Sequence, residues 1–175
     1  MTIQIDDALW GSLVGPTFVG AYRPETDEFV YGTVDVYFFQ GQPFARKGYL
    51  EETTSVIREL LERLEADEEE PLEICTGGVF DHAETHLGDR VRRTKITGRL
   101  QDLVEGVATD YLVNLGIPID GVGPGAEHFR ICLNWVAEDL NHREDFVKTG
   151  WKSWRGKWRW VAARRGRRHQ SRRGR

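Results

Sequence analysis

Ile3 and Ile5 alternate with Gln4 and Asp6 before the chain turns at L-W-G-S-L-V-G-P, a period of two that predicts a strand ending in the carboxylates Asp6 and Asp7. T-F-V-G-A-Y-R (17–23) reads as a second strand, P-E-T-D as a turn and E-F-V-Y-G-T-V-D-V-Y-F-F (28–39) as a third. Connections this short predict an antiparallel meander. Leu50, Ile57, Leu61 and Leu64 then recur at helical spacing with charged residues between them, so 47–65 is expected as an amphipathic helix. P-L-E-I-C-T (71–76) is a short apolar strand interrupted by Glu73, followed by a tight loop entering a short helix. V-R-R-T-K-I (91–96) is a fifth strand. Leu100, Leu103, Val104, Val107, Tyr111 and Leu112 mark a further helix, another is expected from about Pro124 to Asp139, and a last from Glu144 to about Arg164. The resulting order, β-β-β-α-β-α-β-α with more helix at the end, describes an α/β domain with a mixed sheet covered by helices.

Charge changes this picture at one end. Residues 148–175 hold 12 Lys and Arg with no Asp or Glu, leaving 12 basic against 28 acidic residues in the rest of the chain. Such a segment is the electrostatic footprint of a polyanion, because each cation placed near a phosphate releases condensed counterions. The alternative is a tail that folds back on its own acidic body. We divide the chain into a domain of residues 1–163 and a basic, mobile tail of 164–175.

At 175 residues one domain with one real core is expected. No apolar run reaches the roughly 18 residues of a membrane span, and M-T-I-Q-I-D-D lacks the basic start and apolar stretch of a signal peptide. A cytoplasmic protein without membrane contact is expected. Cys75 and Cys132 sit in apolar stretches without metal-ligand spacing and are read as buried free thiols.

An ionised carboxylate on an apolar strand is expensive unless something positive meets it, and this happens at Asp6 or Asp7 and again at Glu73. If the first and fourth strands are neighbours, Asp6 and Glu73 would converge at one edge. A third acid from the last helix would complete an oxygen site suited to Mg²⁺ or Mn²⁺. Two such ions roughly 3.5–4 Å apart can activate water and stabilise the leaving oxygen of phosphodiester cleavage. The competing arrangement has Asp7 capping the turn after the first strand and Glu73 paired with an arginine such as Arg92.

The element order, with I-Q-I-D-D on the first strand, P-L-E-I-C on the fourth and N-H-R-E-D-F-V-K-T-G-W late in the chain, resembles the ribonuclease H-like superfamily, particularly RuvC-type Holliday junction resolvases and their phage relatives. The resemblance implies a ribonuclease H-like five-stranded mixed sheet and a metal-dependent endonuclease acting on structured nucleic acid, DNA ahead of RNA, with a homodimer among the expected assemblies. It implies Asp6, Glu73 and Asp145 as metal ligands, with Asp7 and Asp139 in reserve, and His142 assisting water or phosphate. The opening I-D-D-A-L-W-G-S-L-V-G-P also resembles type 2 ribonucleases H, in which an Asp-Glu pair precedes a Gly-Arg-Gly turn. Here Asp7 stands for the Glu and Leu9-Trp10-Gly11 for the turn. A non-catalytic nucleic-acid-binding module on the same fold, working within a larger nucleoprotein complex, is the alternative.

Other signals are weaker. His82 and His86 lack the order of a zinc-protease helix, T-G-G after the fourth strand lacks the lysine of a phosphate-binding loop, and no base stands at a recognisable spacing from Ser12. Val147, Trp151, Trp154 and Trp158 share a helical spacing and are expected to be at least half core. Trp160 with Lys152, Arg155, Lys157, Arg159, Arg164, Arg165, Arg167 and Arg168 is the expected nucleic-acid face, where indole and guanidinium groups stack on bases and cations follow phosphates.

Overall fold

Five strands form one sheet: β1 (Ile3–Ala8), β2 (Thr17–Arg23), β3 (Glu28–Val34), β4 (Leu72–Cys75) and β5 (Val91–Thr94), in the order β3-β2-β1-β4-β5. The first three pair antiparallel through short turns, and β4 joins β1 in parallel, as does β5 to β4. A parallel return needs a crossover. It is supplied by α1 (Gly41–Ala45) and α2 (Gly48–Arg63) between β3 and β4, and by the one-and-a-half-turn α3 (Asp81–His86) between β4 and β5. The chain continues through α4 (Arg99–Asn114), α5 (Ala126–Glu138), the single turn α6 (Leu140–Arg143) and α7 (Arg159–Arg173). This computed structural model describes residues 1–151 and 153–173, with side chains through residue 167.

The alternation read from β1 sorts the core. Ile3 and Ile5 point to the α2 side, where Ile57, Leu60 and Leu61 cover them together with Val79 and Phe80. Ala8 and Phe18 point to the other side, against Val104 and Ala108 of α4. A separate apolar cluster holds the end of α4, α5 and the last segment together around Cys132, Leu133, Val136, Val147, Trp154 and Ala162. No helix among the described residues is long and apolar enough to cross a membrane.

Arg23, at the end of β2, was not singled out by the sequence. Its side chain is 7% exposed and its guanidinium fork donates to Glu70 through two contacts of 3.0 Å, to Glu28 at 2.7 Å and to the Leu64 carbonyl at 3.0 Å. The hydrogen bonds to Arg23 hold the Glu70 carboxyl below its ordinary range. A lysine has no planar fork and cannot serve all four acceptors. We expect Arg23→Lys to cost about 1–3 kcal/mol by leaving buried acceptors unmet, read as a lower melting temperature. An unchanged melt would show that Glu70 is rehydrated without cost.

Two elements depart from expectation. β3 stops at Val34 instead of running to residue 39, because the Asp35 side chain accepts from the Tyr37 amide at 2.8 Å and turns the chain into a 3₁₀ segment, Val36–Phe39. The helix expected over 144–164 is also interrupted. Val147 bridges to Val14, Gly15 N donates to the Phe146 carbonyl at 2.9 Å, and Lys148 N donates to the Leu13 carbonyl at 3.0 Å, so this stretch is spliced onto the loop between β1 and β2. Gly150 then passes so close to the Phe44 ring and the Phe39 carbonyl that a Cβ would have no room. The chain re-enters helix through a π-type turn, Trp154–Trp158. The helical spacing of Val147 and Trp154 therefore came from two separate elements, although both are buried as expected. α7 passes residues 163 and 164 without a break. Gly166 lies against the Ala137 carbonyl of α5 with no space for a side chain, so the start of the segment assigned to a mobile tail is docked.

Candidate functional site

Parallel β1 and β4 end side by side, with Gln4 opposite Glu73 and Ile5 opposite Ile74, and the crevice beyond such carboxyl ends is where open α/β sheets bind ligands. Asp6, Asp7, Cys75 and Gly77 gather there. Because neighbouring residues of a strand face opposite ways, Asp6 looks toward α4 while Asp7 looks toward the α2 side.

Asp6 is almost fully buried beside the Cys75 thiol and accepts from the Asp7 amide at 2.9 Å. Burial pushes its carboxyl upward, and the thiol and the amide oppose this. Asp7 is pushed up to about 7, first by burial and then by the Asp6 charge, while Lys148 and the Trp10 amide pull it down. Gly77 makes the space for it, since a Cβ there would sit 3.3 Å from the Asp7 carboxylate.

The group facing Asp7 is Lys148, whose side chain is completely buried. Its ammonium donates to the carbonyls of Leu9 and Trp10, the latter at 3.1 Å, and to Thr17 Oγ1 at 3.0 Å, and it lies 4.5 Å from the centre of the Phe39 ring. Burial lowers it to about 7, against the pull of Asp7. Leu9 adopts a left-handed backbone, φ 65°, which turns its carbonyl toward this ammonium and toward Ser12 N. The Leu9-Trp10-Gly11 turn is thus held by a lysine from the far end of the chain.

Glu73 is elsewhere. It shares a face with Gln4 and Asp6, but Gln4 is its register partner, so Asp6 lies two residues, roughly 7 Å, further along the strand. Arg92 and Gln4 hold its carboxylate, and their hydrogen bonds keep it below the ordinary range. Asp145 is exposed in the 3₁₀ turn Glu144–Phe146, beside Gln40, Thr149 and Arg159. His142 is 85% exposed and pairs with Asp139 at 2.9 Å, which raises the imidazole and lowers the carboxyl. The structure therefore brings together Asp6 and Asp7, and separately His142 and Asp139, but does not bring Glu73 or Asp145 to Asp6. The arrangement weighed against the metal site, Asp7 at the turn after β1 and Glu73 on Arg92, is the one observed. Among the described residues no three His, Cys, Asp or Glu side chains are grouped to hold an ion.

Sequence reasoning also missed a pair. Ser12 Oγ lies 3.0 Å from His128 Nε2, both buried, with Ser12 also bonded to the Val14 carbonyl and His128 lowered by burial alone. At a separation of 116 positions, no local spacing could have signalled it. No carboxylate orients the imidazole among the described residues, so the pair reads as a satisfied polar contact under the loop rather than an activated nucleophile.

The basic segment is built differently. Trp158 packs edge-on to Phe129, Ala162 is buried and Gly166 touches Ala137, so one face of the last segment is fastened to α5. Trp160, Arg164 and Arg167, at i, i+4 and i+7, occupy the other face and are exposed. Trp160 is 59% exposed, with the Arg164 guanidinium 4.6 Å from its ring centre. Arg155 and Lys157 are exposed on the π-type turn, Arg159 is engaged by Glu144 at 2.7 Å, and Arg165 donates to Asn134 at 2.5 Å. Lys152 and the side chain of Arg168 lie outside the described residues. No family model matches the chain, and neither does any curated protein or solved structure.

Proposed function

We propose that the chain is a nucleic-acid-binding domain on a ribonuclease H-like sheet, in which the acids of the resemblance serve the fold instead of metal-dependent cleavage. The single observation that carries this reading is the outward face of α7, where an exposed indole and guanidinium groups stand free of the packing that fastens the opposite face to α5. An arginine already stacked on tryptophan offers a base a flat cationic platform, and the surrounding cations follow phosphates. The three antiparallel strands and two parallel returns support the ribonuclease H-like assignment of the sheet. The ion pair of Glu73 and the exposed position of Asp145 weigh against the endonuclease reading, including junction resolution.

The test is a titration of DNA and RNA oligonucleotides between about 50 and 200 mM salt, with a parallel incubation in Mg²⁺. Log-affinity should fall linearly with log salt for both nucleic acids, without strand cleavage. Absence of binding would overturn the proposal, as would Mg²⁺-dependent cleavage that disappears in Asp6→Asn.

A further inference from the structure

Trp151 is a partition between two recesses. On one side lies a groove of about 970 Å³ walled by Phe44, Ala45, Gly150 and Arg155, and on the other a smaller recess of about 270 Å³ walled by Phe129, Trp154 and Trp158. The indole is 37% exposed and is braced by Phe44 at 5.1 Å and by Trp10, edge-on, at 6.5 Å. Both recesses are lined mainly by aromatic and small residues, with cations nearby. Arg155 borders the larger, and Lys157 lies 4.3 Å over the Trp158 ring of the smaller. An apolar aromatic recess alone does not identify its occupant. Here the segment that supplies Trp151, Ser153, Trp154, Arg155 and Trp158 to the walls, from residue 148 onward, carries no acid and, beyond the buried Lys148, 11 cations, which matches a polyanion and disfavours a purely apolar partner.

Resting on the proposed nucleic-acid binding, we infer that the groove on either side of Trp151 takes unstacked bases of a single strand, with Trp151 as the stacking platform and Arg155 and Lys157 on the phosphates. Duplex bases are stacked on one another and present no free face, so a platform of this kind acts only on unpaired nucleotides. The cations of α7 contact phosphates of either form, while its Trp160–Arg164 platform, like Trp151, takes only unpaired bases. The protein should therefore bind single strands more tightly than duplexes, with Trp151 carrying a separable part of the difference.

The deciding measurement is the affinity of the full chain and of Trp151→Ala and Trp151→Phe for an oligothymidylate of roughly 16 nucleotides and for its duplex with oligoadenylate. Trp151→Ala should weaken single-strand binding by about 10-fold or more, leave duplex binding and the salt slope unchanged, and melt as a folded protein, while Trp151→Phe keeps most of the affinity. Equal losses on both forms, or no loss on the single strand, would overturn the groove assignment while leaving nucleic-acid binding intact. A change in oligomeric state on Trp151→Ala would assign the groove to a second copy of the chain and also overturn it. If the unaltered protein binds neither form, the proposed function itself falls.

Discussion

Replacing Lys148 by methionine should cost about 3–5 kcal/mol of stability, because it strips the Leu9 and Trp10 carbonyls and Thr17 of their buried donor and removes the charge that draws the Asp7 carboxyl down. The double variant Asp7→Asn/Lys148→Met removes that carboxyl as well and should recover part of that loss. The pH dependence separates the two groups. Asp7 stands at about 7 in the folded chain against an ordinary 3.8, so its protonated form favours the fold, and this contribution is lost as pH rises from about 4 through 7. Lys148 stands at about 7 against an ordinary 10.5, so its contribution is present at high pH and lost as pH falls through 7. Lys148→Met keeps only the first contribution, and without the ammonium Asp7 moves higher still. Its stability should fall as pH rises from about 4 through and beyond 7. Asp7→Asn keeps only the second and should gain stability as pH rises from about 7 towards 10.5. Denaturant melts at several pH values would read both slopes. Slopes of the same sign in the two single variants, or a Lys148→Met protein that melts like the parent, would show that the pair is not coupled through burial.

What was legible in the sequence follows the range of the interactions involved. Period-two alternation at Ile3 and Ile5 and helical spacing at Ile57 and Leu61 are local, and they place β1 and α2 within a residue or two of the observed ends. The two fates of Glu73, metal ligand or partner of Arg92, were both readable. Only the β1–β4 register decided between them, by setting Gln4 rather than Asp6 opposite Glu73. Lys148 was read as one more cation of a basic run. Its burial depends on two carbonyls at the turn after β1 and on Val147 bridging to Val14, contacts between opposite ends of the chain that no window of sequence contains. The same splice explains why the continuous helix expected over 144–164 is broken. The tryptophan spacing there is helical, but Gly150 admits the chain past Phe44 only in a tight, side-chain-free passage.

The docking of Gly166 and Arg165 on α5 also sets where the basic segment can be cut. Removal of residues 164–175 would take away the Arg165–Asn134 contact and the close approach of Gly166 to Ala137, so a change in binding could not be separated from a change in packing. A truncation after Arg167 avoids this. It removes Arg168, Arg172, Arg173 and Arg175, four of the 12 cations, and leaves Trp160, Arg164 and the fastened face in place. If these arginines contact phosphates, each lost contact lowers the slope of log-affinity against log salt by about 0.7–0.9, and affinity at low salt should fall by about 10²–10³-fold with little change in melting temperature. The loss should be similar across sequences, because phosphate contacts carry no base information. The opposing case is that the basic end neutralises the acidic body of the same chain, 28 Asp and Glu against 12 Lys and Arg outside the last segment. Then the truncated protein would show an unchanged salt slope and a lower melting temperature at low ionic strength, where unscreened repulsion among the carboxylates is strongest. Both quantities measured on one truncated protein assign the last four arginines to a nucleic-acid partner or to the domain itself.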